Sequence, residues 1–126
     1  MPARIVVDED QPSAAIEIPL KEPLPDYDLE QLEQPTPRDV DAVLVTQGFR
    51  DLVDDARGVL TELLDGSGLE IGQFTGAICP GDDDVYYPGL WIVLRDPRGN
   101  PRAALPPAAQ ERITSVATEL LKRLGL

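Results

Sequence analysis

Residues 80–89 read PGDDDVYYPG: three consecutive aspartates, Asp82, Asp83 and Asp84, stand between two Pro-Gly pairs, with Tyr86 and Tyr87 beside them. Carboxylates in a group can hold a hard cation or share acid–base work. A Ca²⁺ or Mg²⁺ site needs oxygens that converge on one point, but adjacent aspartates point in different directions and no EF-hand pattern follows them. Carboxylate catalysis needs a second acid across a cleft. Glu70 and Asp96 are the candidates, by chain position alone. A turn accounts for the whole segment: proline fixes φ, glycine frees it, and aspartate bonds nearby backbone amides. The expectation is a connection between two strands, with no metal and no cofactor.

Other chemistries lack their residues. The chain has no histidine, so the commonest general base and the commonest metal ligand are both missing. Neither a Ser-His or Cys-His pair nor a histidine-ligated zinc site can be assembled from it. The one cysteine, Cys79, sits beside Pro80 with no basic neighbour in sequence, and reads as an inert thiol. The stretch GSGLEIG has the spacing G-x-G-x-x-x-G and follows a helical segment. The dinucleotide fingerprint needs a different spacing and a preceding strand, so this is a helix stop and turn. There is no phosphate-binding G-x-x-x-x-G-K-[ST] and no N-x-[ST] acceptor. No motif is specific to a family.

The chain has 126 residues, with a formal charge of −12 and a pI of about 4.2. Its length suits one domain with a modest core. Without a basic footprint, direct binding to nucleic acid or to an anionic membrane is disfavoured, and a basic protein partner is favoured. The acidity is equally what a salt-adapted proteome would carry as background. No apolar run approaches the length of a membrane span, and the N-terminus has no secretory pattern. With a single cysteine, the expected address is cytoplasmic, or the interior of a virion.

Charge divides the chain. Residues 1–36 hold nine acids, two bases and six prolines; the remainder holds 14 acids and nine bases. The first segment starts with two short β-like runs, ARIVV and AAIEIPL, that can pair as a hairpin. It continues as KEPLPDYDLEQLEQPTP, whose prolines remove backbone donors and favour an extended arm. Residues 1–36 are thus expected to be an acidic, proline-rich arm with a short hairpin, and residues 37–126 a compact α-β-β-α domain.

Within 37–126, Thr36 can cap a helix with Pro37 at its first position. An apolar stripe from Val40 to Leu64 carries the helix to about residue 65, where Gly66 and Gly68 stop it. The weak point is VLVTQG, which is β-branched and where Gly48 costs about 1 kcal/mol in a helix interior; a kink there, or a short strand before a helix from Phe49, is the alternative. A hairpin over about 69–95 follows. In its second strand, LWIVL is apolar at both parities, which suits a strand buried on both faces or one that turns its second face toward a partner. Pro88-Gly89 should interrupt the ladder, by a bulge or at an edge. Residues 96–101 form a turn cluster. Over about 106–125, Ala109, Ile113, Val116, Ala117, Leu120 and Leu124 form a single helical stripe, ended by Gly125.

The fold class expected is α+β: a small antiparallel sheet, which the N-terminal strands can join, packed on two amphipathic helices. Without those strands the hairpin is marginal, and a homodimer that joins two such hairpins becomes attractive. Four of the six aromatics fall between Phe74 and Trp91. Phe74 and Trp91 are expected to fill the core. Tyr86, Tyr87 and Trp91, with Asp82, Asp83 and Asp84, could also make an anchor for a basic partner. Tyr27 and Leu29 offer apolar contacts on the arm. The function expected is a non-catalytic protein–protein interaction module, such as an adaptor, chaperone or assembly component. The alternatives are an acidic mimic of nucleic acid and, without histidine, a carboxylate- or metal-dependent enzyme subunit.

Overall fold

The structure is a computed structural model that describes residues 2–7, 10–24, 48–81, 85–99 and 102–126. Its elements are β1 (Arg4–Val7), β2 (Ser13–Pro19), α1 (Phe49–Leu64), β3 (Glu70–Pro80), β4 (Tyr86–Arg95) and α2 (Pro107–Arg123). The four strands form one antiparallel sheet in the order β1-β2-β4-β3. This is the α+β sandwich that the patterning implies, in the form the N-terminal strands join. The sheet therefore does not need a second copy to complete it. Residues 4–19 belong to the compact body, and β2 lies in the middle of the sheet. The boundary at residue 36 falls outside the described residues.

Strand alternation divides the sheet into two faces. Ile16 and Ile18 of β2 and Leu90, Ile92 and Leu94 of β4 face the helices, all at most 1% exposed. They meet Ala56 and Leu60 of α1 and Ala109, Ile113, Ala117 and Leu120 of α2. The other parity of LWIVL, Trp91 and Val93, faces away from this core and is half-buried.

The helices end by backbone chemistry. Gly48, with φ of 81°, immediately precedes α1. The described helix starts at Phe49 instead of running on from Pro37, because the left-handed conformation at Gly48 cannot continue a right-handed turn. The predicted start at Thr36 and Pro37 and the apolar positions before Gly48 lie outside the described residues. At the end of α2, Leu126 N donates to Leu121 O (2.8 Å) and Gly125 N to Lys122 O (3.1 Å), with Gly125 at φ 76°. That pair of bonds is a Schellman motif, which satisfies the last free carbonyls. Arg123 binds Glu119 on its own helix and Glu62 on α1, tying the two helices.

Pro88 lies inside a central strand, against the expectation of an edge or a bulge there. Hydrogen bonding explains how this is tolerated. Leu20 N donates to Pro88 O (2.8 Å), so Pro88 turns its backbone toward the β2 side, just past the end of that strand. Its missing N–H costs only a terminal rung of the ladder. Gly89 then allows close approach: a Cβ there would meet Ile18 O at 2.7 Å and Cys79 Sγ at 2.8 Å. The bulge falls instead at Gly72, between Ile71 and Gln73 of β3.

Candidate functional site

The residues that face away from the helices build the candidate site. On this second face β4 presents Tyr87, Trp91, Val93 and Arg95, and β3 presents Glu70, Gln73, Thr75, Ala77 and Cys79. β2 contributes Ser13, Ala15 and Glu17, and β1 contributes Arg4. Glu17 is only 5% exposed, and Arg4 clamps it through Nε to Oε1 (3.0 Å) and a second guanidinium nitrogen to Oε2 (3.4 Å). A buried carboxylate needs such a partner, since desolvation penalises its charge.

A cleft of about 820 Å³ opens at the Arg95 end of this face. Pro12, Gln73 and Val93 line it, and the chain after β4 walls it through Asp96–Gly99 and Ala103–Pro106. That wall is built locally. Asp96 Oδ1 accepts from Arg98 N (2.9 Å) and Gly99 N donates to Asp96 O (3.1 Å), so the turn cluster is held by its first aspartate. Leu105 N donates to Gln11 O (3.2 Å), fastening the far wall to the β1–β2 connection.

Glu70 and Asp96, separate in sequence, line the same cleft. Each is already paired. Arg95 Nε binds Glu70 Oε1. Asp96 binds Arg98 through Oδ1 and Arg112 of α2 through Oδ2 (2.6 Å). The backbone hydrogen bond from Arg98 is the largest influence and lowers the Asp96 pKa; desolvation comes next and opposes it, and hydrogen bonds from the Arg98 and Arg112 side chains keep the net shift below the ordinary carboxylate range. Asp96 is therefore anionic and has no proton to donate at neutral pH. Arg112 Nε is buried with no partner among the described residues.

Cys79 is fully buried, and its thiol is pushed up to about 11 by burial and then by Glu17, while Arg4 pulls the other way. The thiolate, which is the nucleophile, is scarce there at neutral pH. Cys79 is inert, but not for want of a basic neighbour: Arg4 is present and is outweighed.

The structure separates the aromatic cluster seen in sequence. Tyr87 and Trp91 share the second face, and Tyr86 lies on the helix side at 38% exposure. Adjacent residues in a strand must point to opposite faces. The Tyr87 ring lies over Gly81, where a Cβ would meet it at 2.8 Å. Phe74 packs at the margin of the helix-side core, with the Arg57 guanidinium 4.8 Å from its ring centroid. Trp91 does not join that core, against expectation, because its parity in β4 is opposite to that of Leu90 and Ile92. Asp82, Asp83, Asp84, Tyr27 and Leu29 lie outside the described residues. The ends of their turn are visible: Gly81 N donates to Val85 O (2.7 Å), closing a β3–β4 hairpin as the turn reading requires. Sequence reasoning missed Arg4, Glu17 and the cleft wall. Arg4 and Glu17 meet only through strand register, although opposite charges on two facing β-like runs were a usable signal.

Among the described residues no group of three or more carboxylates and thiols is placed to hold a metal, and no helix is long and apolar enough to cross a membrane. No family model, curated protein or solved structure shows significant similarity to this chain.

Proposed function

We propose that this protein is a non-catalytic protein-interaction module, of the adaptor or assembly type, that docks a partner on the second face of the β3–β4 hairpin. The observation that carries the reading is the pairing of half-buried Trp91 and Val93 with an adjoining cleft whose four charged side chains, Glu70, Arg95, Asp96 and Arg98, are all engaged in ion pairs. Apolar side chains next to satisfied charges favour docking over proton transfer. Tryptophan contributes a large rigid contact area of the kind that dominates protein interfaces. The net charge of −12 favours a basic partner.

The test is affinity capture from source lysate with the full chain and with Trp91→Ala, washed at low and at high salt. A partner retained at high salt by the full chain and lost by the variant supports docking through this face. A partner captured equally by both would overturn it. A partner released at high salt and displaced by nucleic acid would support the phosphate-mimic alternative instead.

A further inference from the structure

Two arginines share one carboxylate at the wall of the cleft. Arg98 Nε and Arg112 Nη2 bind opposite oxygens of Asp96, at 3.3 and 2.6 Å. Among the described residues neither arginine has a second carboxylate partner. The three side chains therefore carry one uncompensated positive charge, on a chain whose formal charge is −12. The neighbouring Arg95–Glu70 pair is neutral and leaves that balance unchanged.

Asp96 alone does not satisfy both guanidinium groups. Its side chain is only 10% exposed and also accepts Arg98 N, so its oxygens are already occupied. Arg112 grips it by one corner, and Arg112 Nε is left buried with no partner among the described residues. A donor stranded in this way is uncommon and costly. The outer ends of the two groups come together beside the turn after α1. The position that a Cβ on Gly68 would take is 2.8 Å from Arg98 Nη2 and 3.6 Å from Arg112 Nη1. The two nitrogens are no farther apart than the sum of those distances, a gap that the two oxygens of one carboxylate can bridge. Both arginine side chains remain partly exposed, so a ligand can reach them.

We infer that Arg98 and Arg112 bind the carboxylate of a ligand whose apolar body lies in the cleft. Charge selects the head group. A single uncompensated positive charge is neutralised by a monoanion, whereas a phosphate monoester, at about −1.5 to −2, would overshoot it. The planar guanidinium also matches a carboxylate in shape. The body follows from the walls: Arg98 lines the cleft together with Val93, Pro97, Ala104 and Leu105. The cleft volume of about 820 Å³ is that of a small-molecule site. A free organic acid and a protein C-terminus that follows apolar residues share this chemistry, and the experiment separates them. Trp91 does not line the cleft, so this inference and the Trp91→Ala capture result stand or fall separately.

The experiment titrates the full chain with 3-phenylpropionate, its neutral amide, phenyl phosphate and the N-acetylated tripeptide Ala-Leu-Phe with a free C-terminus. Binding is followed by NMR. The acid should bind with a Kd of about 1 mM, as its size allows, and roughly tenfold more tightly than the amide. The Nε–H signals of Arg98 and Arg112 and the amide of Gly68 should move, and the Nε–H signal of Arg4, on β1, should not. Arg98→Lys keeps the charge but loses the fork. It should bind the acid roughly tenfold more weakly, with a melting temperature close to that of the parent, since the Arg98 side chain is mostly exposed. Tighter binding of the tripeptide than of the free acid would support the site and assign its ligand to a protein C-terminus; the reverse order would assign it to a small acid. Absence of binding, equal binding of the amide, tighter binding of phenyl phosphate, or full affinity in Arg98→Lys would overturn the inference.

Discussion

The two faces of the central strand β4 show how one sequence run can meet two demands. Leu90, Ile92 and Leu94 are fully buried against α1 and α2. Trp91 and Val93, interleaved with them, stop at half-burial on a face that also holds an Arg4–Glu17 ion pair and an open cleft. The first face excludes water and holds the fold. The second combines apolar surface with ion-paired charge and leaves room beside it, which is how a binding surface differs from a core.

The largest expected effect concerns β2, which supplies both faces. Removing residues 1–36 withdraws Ile16 and Ile18, each worth about 1.5–3 kcal/mol of burial, and strips one ladder from β4. Against a typical total stability of about 5–15 kcal/mol, residues 37–126 alone should show no cooperative thermal unfolding by circular dichroism. A sharp transition in that fragment would break the claim that the N-terminal strands are integral.

Next in size, Ile92→Ala should cost about 2–5 kcal/mol in urea unfolding. Val93→Ala, one residue along and on the other face, should cost about 1 kcal/mol or less. Equal losses would erase the distinction between the faces. Gly89→Ala tests where the second face is tight. Its new methyl group would be forced onto Ile18 O and Cys79 Sγ, and backbone cannot yield as a flexible side chain can, so a loss of about 1–3 kcal/mol is expected.

The smallest effect is pH-dependent. Folding lowers the pKa of Asp96 from an ordinary value of 3.8. Its contribution is therefore present above that value and is lost as pH falls through the lower folded one. Asp96→Asn should lower the melting temperature slightly at neutral pH, and the gap from the parent protein should close as the solution is acidified below about pH 4. A gap that persists in acid would assign the loss to packing of the cleft wall instead of charge.

Much of the architecture was readable in the chain because it depends on short-range rules. The α2 stripe repeats with helical period, Pro107 opens it and Gly125 closes it, so its bounds follow from neighbours in sequence. The acidic turn was legible for the same reason, since Pro-Gly and aspartate define a connection whatever lies elsewhere. Pro88 was misread because its effect depends on which neighbouring strand its nitrogen faces and where that strand ends. Tyr86 and Tyr87 look like one patch in the chain, but adjacent strand residues point to opposite faces. The candidate site was only partly visible: Trp91 was singled out, but Glu17, Arg4 and the wall at Leu105 come together through contacts distant in sequence.

By itself the sequence determined the class of elements, the stop of α1 and both ends of α2, the double apolarity of LWIVL and the absence of histidine chemistry. These follow from local backbone preference, side-chain period and residue inventory. Only the tertiary structure decided that β2 lies at the centre of the sheet, which parity of β4 meets the helices, that Glu70 and Asp96 share a cleft, and that β3 is left at the edge. Each of those depends on which strands pair and in what register. Pairing is chosen by the burial the whole sheet achieves, and no single segment carries that information.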